Sequence, residues 1–144
     1  QEFHNKLRVA IHKNKATHFA VRVDLPTVIK NAKEEFETAM DNDFNTPKAW
    51  AVIFGLISNL QREVWHLRRI DAKNLKKFLD KVFEIMNLDL QEIKIPKNVL
   101  ELSEERELLR DSKQFIHADA LRTKIKALGY EVEDTPYGSW LKPI

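Results

Sequence analysis

The sequence lacks cysteine, contains few residues that build tight turns and has no long apolar run. Its 144 residues include no cysteine, three glycines and five prolines. The absence of cysteine excludes a disulfide framework, a thiolate metal site and a cysteine nucleophile in this chain. The scarcity of glycine and proline disfavours a sheet-rich fold with many turns, so helices are expected. No apolar run approaches the roughly 20 residues of a membrane-spanning helix, and no membrane partner is expected.

An excess of charge of one sign is also absent. The chain has 24 Lys and Arg against 22 Asp and Glu, a net charge of +2, which does not indicate a large nucleic-acid groove. Basic residues are concentrated between Arg62 and Lys81, where seven of them stand against three acidic residues. Residues 97–144 carry eight basic and nine acidic residues. Any binding of nucleic acid there is therefore expected to depend on specific contacts and not on bulk attraction.

Motifs for catalysis and for metal binding are missing from the sequence. The five histidines form no i, i+4 pair and no HExxH pattern, which disfavours a zinc site. No glycine-rich loop is present, which excludes the common phosphate-binding and dinucleotide-binding motifs. Paired acids such as Asp41 and Asp43 are more typical of turns and solvated surface than of a hydrolase. By itself the chain is not expected to be a catalyst, and its first residue, Gln1, suggests a fragment or a processed product.

Apolar residues at helical spacing predict four helices in the first two thirds of the chain. Asp24 and Pro26 favour the start of the second helix, and Thr46 before a proline is predicted to be the N-cap of the third. The helices are predicted over about residues 3–11, 26–41, 47–66 and 71–87, with a loop over 12–17. Such helices bury their apolar faces best against one another, so we predict an antiparallel four-helix bundle over residues 1–93.

The aromatic residues of this bundle are predicted to divide between core and turn. Phe44 falls in a turn rich in Asp and Asn, where we expect it to cover one end of the bundle. The others lie on the apolar stripes and are expected in the core: Phe36, Trp50, Phe54, Phe78 and Phe83.

The remaining third of the chain predicts a small appendage. Pro96 interrupts a non-periodic stretch over 88–98, which we interpret as a linker. One helix is predicted from about Val99, with a break near residues 111–114, and a second begins at Phe115. Gly129 is expected to end the second helix in the left-handed conformation. Alternation over 130–133 and a proline turn at 135–138 predict a β-hairpin, so residues 98–144 form a helix-plus-hairpin tail.

Phe115 lies among charged residues near the start of its helix. Arg110, Lys113, Asp119 and Arg122 are close to it in sequence. A ring that can stack, surrounded by donors and acceptors, is the combination that reads an unstacked RNA base. The alternative is an ordinary amphipathic helix with ion pairs at its surface.

Several short motifs follow one another in a fixed order along the chain. They are Phe36–Pro47 (FETAMDNDFNTP), Phe54–Asn59 (FGLISN), Arg106, Arg110, Phe115, Ala118–Arg122 (ADALR), Gly129, Glu133, Asp134 and Gly138–Trp140. Together and in this order they resemble the C-terminal region of the cysteinyl-tRNA synthetase family. The resemblance extends from about Ala32 to Trp140, which is most of the chain.

The resemblance implies a division of labour in recognising tRNA-Cys. The helical bundle, of the anticodon-binding type, would contact the tRNA stem, and the tail would read the GCA anticodon. Arg110 and Asp119 would address the first anticodon base while Phe115 stacks on it, and Arg122 and Asp134 would address the neighbouring bases. The stem phosphates would meet Arg68, Arg69, Lys73, Lys76 and Lys77.

The resemblance also implies what this chain leaves to the rest of a cysteine–tRNA ligase. ATP, Zn²⁺ and the catalytic residues would belong to an N-terminal class I catalytic domain, whose HIGH-like and KMSKS-like signatures are absent here. The chain should therefore be inactive alone, need no cofactor of its own, and act in protein biosynthesis in the cytoplasm as part of a monomer. Two positions depart from the family pattern: residue 115 is Phe and not Trp, and Trp140 directly follows Ser139, which leaves open the side of the hairpin that Trp140 faces.

Two other functions remain as alternatives. One is a helical adaptor that binds a protein partner, which the near-neutral tail and the many charged residues would suit. The other is the related region of the amino-sugar–cysteine ligase of mycothiol synthesis, an enzyme that does not need to recognise an anticodon. The presence of both Phe115 and Asp119 disfavours this second alternative.

Overall fold

The computed structural model describes residues 1–13, 24–90 and 93–144. The chain divides into two compact units, Gln1–Gln91 and Glu92–Ile144. Its mainly helical fold with a small C-terminal hairpin confirms the predicted fold class. In the described ranges, no helix combines the length and the apolar character that crossing a bilayer requires. The separate roles predicted for residues 1–93 and 98–144 remain a prediction.

The described residues of the first unit form four α-helices. They are α1 (Glu2–Lys13), α2 (Leu25–Asp41), α3 (Thr46–Leu60) and α4 (Arg69–Ile85). Helix α2 packs against α3 and α4, and α1 packs against α4. The predicted cap of α2 is confirmed, because an Asp24 side-chain oxygen accepts a hydrogen bond from the backbone N–H of Thr27. The predicted loop over 12–17 is wrong for residues 12 and 13, which belong to α1, and its other residues lie outside the described part.

Helix α3 ends earlier than the apolar pattern predicts. The prediction extended it to His66, but it ends at Leu60 and is followed by a short 3-10 helix, Val64–His66. This short helix packs against α1, and the amine of Lys6 lies 5.8 Å from the centre of the Trp65 ring. Burial of Val64 and Trp65 against another helix thus competes with continuation of α3.

The connection between α2 and α3 corrects two further predictions. The N-cap of α3 is Asn45, whose Oδ1 accepts from the N–H of Lys48 at 3.1 Å, so Thr46 is the first helical residue and not the cap. Asp43 and Phe44 both have a positive φ, 54° and 53°. Phe44 is 74% exposed, so it does not cover the bundle.

Only part of the predicted aromatic core is buried. Phe36 and Phe83 are buried as predicted, whereas Trp50 and Phe78 are half-buried and Phe54 is 62% exposed. The apolar stripe of α3 is wider than the face it buries, which consists of Ala49, Ile53, Leu56 and Leu60. Phe54 stacks on Trp50 from outside this face, with ring centres 5.3 Å apart.

The second unit places two helices and a hairpin around their own core. They are α5 (Lys97–Asp111), α6 (Phe115–Ala127), β1 (Tyr130–Thr135) and β2 (Gly138–Pro143). The strands pair antiparallel, α5 packs against α6 and β2, and α6 packs against β1. Gly129 has a φ of 84°, which confirms the predicted left-handed end of α6. The core cluster is formed by Val99, Ile125, Val132 and Leu141.

Trp140 also lies in the interior of the second unit. It is buried and pairs across the hairpin with Glu133. Because successive side chains of a strand point to opposite faces, Trp140 lies on the face away from the core residues Val132 and Leu141, although its indole is buried.

Candidate nucleic-acid interface

A buried arginine joins α5 to both strands of the hairpin. Arg106 is 0% exposed, and its guanidinium donates from Nη1 to Asp134 Oδ1 at 2.7 Å and from Nη2 to Oδ2 at 3.0 Å. Nη1 also donates to the hydroxyl of Ser139 at 3.3 Å. Asp134 and Ser139 face each other across the hairpin, so one guanidinium holds a cross-strand pair. The sequence drew attention to Arg106 but assigned it no role.

Asp134 is the centre of a cluster of positive charge. Hydrogen bonding from Arg106 lowers the pKa of the Asp134 carboxyl below its usual range, although burial opposes this, and the charges of Arg106, Arg110 and Arg122 add to the effect. Arg110 Nη2 lies 3.6 Å from Asp134 Oδ2. Arg110 and Asp134 keep 41% and 47% of their side chains exposed, so both reach solvent from this cluster.

A second contact from α5 fixes the start of β2. A carboxylate oxygen of Glu107 accepts the backbone N–H of Ser139. Gly138, next to it, has a φ of 99°, and a Cβ there would lie 2.9 Å from Glu107 Oε1. The backbone conformation therefore favours glycine, and a Cβ there would force the carboxylate end of Glu107 to shift.

Between α5 and the hairpin lies an open pocket of about 320 Å³. Its lining residues are Glu107, Arg110, Asp111, Asp134, Thr135, Gly138 and Ser139. The sequence singled out Arg110 and Asp134 but missed Glu107, Asp111 and Ser139. Spacing four residues apart places Glu107 beside Asp111 on α5, yet only the docking of the hairpin brings Ser139 to them. The pocket offers both guanidinium donors and carboxylate acceptors, the groups that bind the edges of bases.

Helix α6 presents the predicted stacking residue to solvent. Phe115 is 53% exposed, and Asp119 and Arg122 are exposed as well. The three residues are spaced i, i+4 and i+7, which places them on one helix face. Within the described residues neither Asp119 nor Arg122 forms an ion pair, and Arg110 pairs with Asp134 instead of Asp119. The structure thus brings Phe115, Asp119 and Arg122 to one face and Arg110 to Asp134.

In the first unit, the five predicted phosphate-binding residues differ in whether their charges are paired with a carboxylate. Arg68 donates to Asp71, with Nη2 3.0 Å from Oδ1, and Lys76 Nζ lies 2.7 Å from Asp80 Oδ2. Arg69, Lys73 and Lys77 are exposed and form no ion pair with any described residue. These three lie four residues apart along α4, and Lys81, which the sequence prediction left out, continues the row. We call Arg69, Lys73, Lys77 and Lys81 the α4 basic row.

The described residues do not fit a metal centre. Over residues 1–13, 24–90 and 93–144, no three His, Cys, Asp or Glu side chains are grouped so that they could hold an ion. These residues therefore offer no ligand set for the Zn²⁺ that the family resemblance implies for the catalytic domain.

Comparison with known proteins gives one family match and many relatives. A family model described as the DALR domain matches residues 35–91, which begin within α2 and include α3 and α4 but not the sequence Asp119–Arg122. The cysteine–tRNA ligase of Caldicellulosiruptor saccharolyticus is 31% identical over 124 residues, 83% of this chain and 27% of the relative. That of Methanosarcina acetivorans is 34% identical over 125 residues, 83% of this chain and 26% of the relative.

One relative also covers the hairpin unit almost completely. The cysteine–tRNA ligase of Oenococcus oeni is 28% identical over 147 residues, which cover 97% of this chain and 32% of that protein. The chain thus spans about a quarter to a third of the length of the curated relatives it matches.

Proposed function

Since the chain belongs to the cysteinyl-tRNA synthetase family and corresponds to the C-terminal region of that family, we propose that it is the tRNA-binding part of a cysteine–tRNA ligase. Its partner is tRNA-Cys, and the second unit recognises the GCA anticodon. The observation that carries the proposal is the exposed face of α6, where Phe115, Asp119 and Arg122 combine a stacking ring with an acceptor and a donor.

Each group of this face has a chemical role in reading a base. Stacking of an unstacked base on Phe115 contributes roughly 1–3 kcal/mol. Arg110 donates to base or phosphate oxygens, and Asp119 accepts from exocyclic amines and ring N–H groups of the first anticodon base. Arg122 and Asp134 address the neighbouring bases. The carboxylate of Asp134 holds Arg106 with both oxygens, but two oxygens offer about four acceptor positions, which leaves room for a base donor.

The α4 basic row supplies contacts to the phosphates of the tRNA stem. Residues four apart on an α-helix lie about 6 Å apart along its axis, so the row presents its charges as a regular ridge. Arg68 and Lys76, which are held by Asp71 and Asp80, add less net attraction than Arg69, Lys73 and Lys77. Such contacts hold the RNA without distinguishing its sequence.

The joining of cysteine to tRNA belongs to a catalytic domain that this chain does not match. We propose that this class I domain uses ATP and Zn²⁺, and that the present chain orients the tRNA for it in the cytoplasm. The chain alone is expected to leave cysteine unactivated, and the complete protein is expected to be a monomer.

Titration of the chain with an RNA stem-loop that carries the GCA anticodon tests the proposal. A stem-loop with the same stem and a changed anticodon is the control. We expect weak, salt-sensitive binding that prefers GCA, and a loss of this preference in Arg110→Ala and Asp119→Ala. Equal affinity for the two stem-loops would remove the base-reading function and leave only attraction to the backbone.

A further inference from the structure

We propose that Arg106 is a positioning residue of the base-reading site: it orients the carboxylate of Asp134, which in turn aligns the exposed guanidinium of Arg110. The inference deepens the proposed function and rests on it where RNA is concerned. Arg106 itself is buried and does not reach a ligand.

Arg106 is completely buried. It is the largest of the fully buried side chains among the described residues, and its Nε has no hydrogen-bond partner there. Burying a charged guanidinium carries a desolvation penalty, which its pairing with the half-exposed carboxylate of Asp134 has to offset. Stability alone therefore gives little reason for an arginine at this position, whereas orientation of a carboxylate gives a clear one.

The contact of Arg106 with Asp134 is bidentate. Two parallel N–H···O bonds at 2.7 and 3.0 Å prevent the Asp134 carboxylate from rotating, which a single ammonium could not do. The bond from Nη1 to Ser139 at 3.3 Å fixes the guanidinium in turn. In this orientation Asp134 Oδ2 faces Arg110 Nη2 at 3.6 Å.

Arg110 makes a longer contact with Asp134 than Arg106 does. The single carboxylate of Asp134 is shared between the guanidinium groups of Arg106 and Arg110. Arg106 makes the shorter, bidentate contacts, so Arg110 keeps most of its donors for a ligand while its direction is set. If Asp134 were released from Arg106, it would be free to pair more closely with Arg110 and occupy those donors.

The test uses the whole chain and the variant Arg106→Lys, which keeps the charge and loses the fork. We expect the ratio of affinities for the GCA and changed-anticodon stem-loops to fall about tenfold. The affinity for the stem-loop with the changed anticodon should change little. Val99→Ala is the matched control, since it weakens the core of the same unit without touching Asp134. An unchanged ratio in Arg106→Lys, or an equal fall in Val99→Ala, would overturn the inference.

A double-mutant cycle separates positioning from a general structural role. In an Arg110→Ala background, Arg106→Lys should leave the ratio of affinities for the GCA and changed-anticodon stem-loops almost unchanged, because Arg106 acts through Arg110. Additive losses would show that it acts by another route. If Arg106→Lys does not fold, Ser139→Ala replaces it in the test. Ser139→Ala should lower the ratio of affinities by a smaller factor, and an unchanged ratio would overturn the inference.

A measurement without RNA keeps the inference distinct from the proposed function. Carbon NMR of the Asp134 carboxyl and the Arg110 side chain is followed against pH in the wild type and in Arg106→Lys. We expect the variant to titrate Asp134 at higher pH and to show a more mobile Arg110 guanidinium. A wild type without GCA preference refutes the proposed function alone, whereas unchanged titration and mobility refute the positioning by Arg106.

Discussion

The two units of the chain offer positive charge to a ligand in opposite ways. On α4, Arg69, Lys73 and Lys77 are exposed and have no ion-pair partner among the described residues. In the hairpin unit, the positive charges of Arg106 and Arg110 are held against Asp134. The first arrangement suits any polyanion. The second fixes the direction of the guanidinium donors but attracts a polyanion less strongly.

From this difference we propose that affinity and specificity reside in different units. Contacts with phosphates position a nucleic acid, and contacts with base edges specify it. Residues 97–144 have a net charge of −1, since eight basic residues stand against nine acidic ones, so this part cannot rely on bulk attraction.

The largest expected effect comes from Gly138→Ala, which disturbs the hairpin unit. The residue has a φ of 99°, and its new Cβ would displace Glu107 from Ser139. Backbone strain of about 1–3 kcal/mol and the loss of a hydrogen bond worth about 1 kcal/mol should lower the free energy of unfolding of this unit by about 3 kcal/mol. Hydrogen exchange of the β1 and β2 amides measures the loss.

The control for this prediction is a glycine of the other unit. Gly55 lies within α3, and a Cβ there would meet no atom within 4 Å. Gly55→Ala should therefore stabilise its helix by about 0.5–1 kcal/mol. If both substitutions have the same sign, the hairpin does not depend on Gly138 as the geometry indicates.

Phe115→Ala is expected to have the next largest effect, on binding and not on stability. Loss of the stacking surface should reduce affinity for the GCA stem-loop by about 1–3 kcal/mol, as measured by fluorescence anisotropy. Ile116→Ala is the matched control, because the neighbouring side chain is also exposed and points from a different side of α6. Equal losses for the two variants would contradict a specific role for the Phe115 ring.

The sequence predicts local features of both units better than contacts between distant residues. Asp24 caps α2, and Gly129 ends α6, because both features depend on the nearest turn of the chain. The apolar stripe of α3 predicts a buried Phe54, but this stripe is wider than the face that the helix buries. The end of α3 was missed because Trp65 is held by a contact with α1.

The candidate site divides in the same manner. The shared face of Phe115, Asp119 and Arg122 follows from helical spacing and was predictable. The pairing of Arg106 with Asp134 joins residues 28 positions apart, and the contact of Glu107 with Ser139 joins residues 32 apart. Such pairs depend on how the hairpin docks on α5, which no local pattern specifies.

A more moderate effect is expected when the α4 basic row loses charge. Lys73→Gln with Lys77→Gln should weaken binding of both stem-loops equally and reduce the slope of log affinity against log salt by about 1.4–1.8. Fluorescence anisotropy at several salt concentrations measures the slope. Lys30→Gln with Lys33→Gln removes the same charge from α2, where both lysines are near glutamates, and should change the slope less. A change in GCA preference in the α4 variant would contradict the separation of roles.

The smallest expected effect is the dependence of hairpin stability on acid. The hydrogen bond from Arg106 lowers the pKa of Asp134 in the folded state, so as pH falls below about 4 the unfolded chain takes up a proton first. The stabilisation is therefore complete above the pKa that Asp134 has in the unfolded chain. It is lost as pH falls through the lower pKa that Asp134 has in the folded state. Because Asp134 is half exposed, solvent screening should keep this contribution below about 1 kcal/mol. Urea unfolding from pH 6 to pH 2, followed by NMR signals of the hairpin unit, measures this contribution.

Asp134→Asn should remove this part of the acid dependence, whereas Asp119→Asn, at a carboxyl with no ion pair among the described residues, should leave it intact. The same acid dependence in wild type and Asp134→Asn would mean that the charge of the ion pair with Arg106 does not stabilise the hairpin. The two units would then differ in the arrangement of their basic side chains and not in how strongly ion pairs hold them.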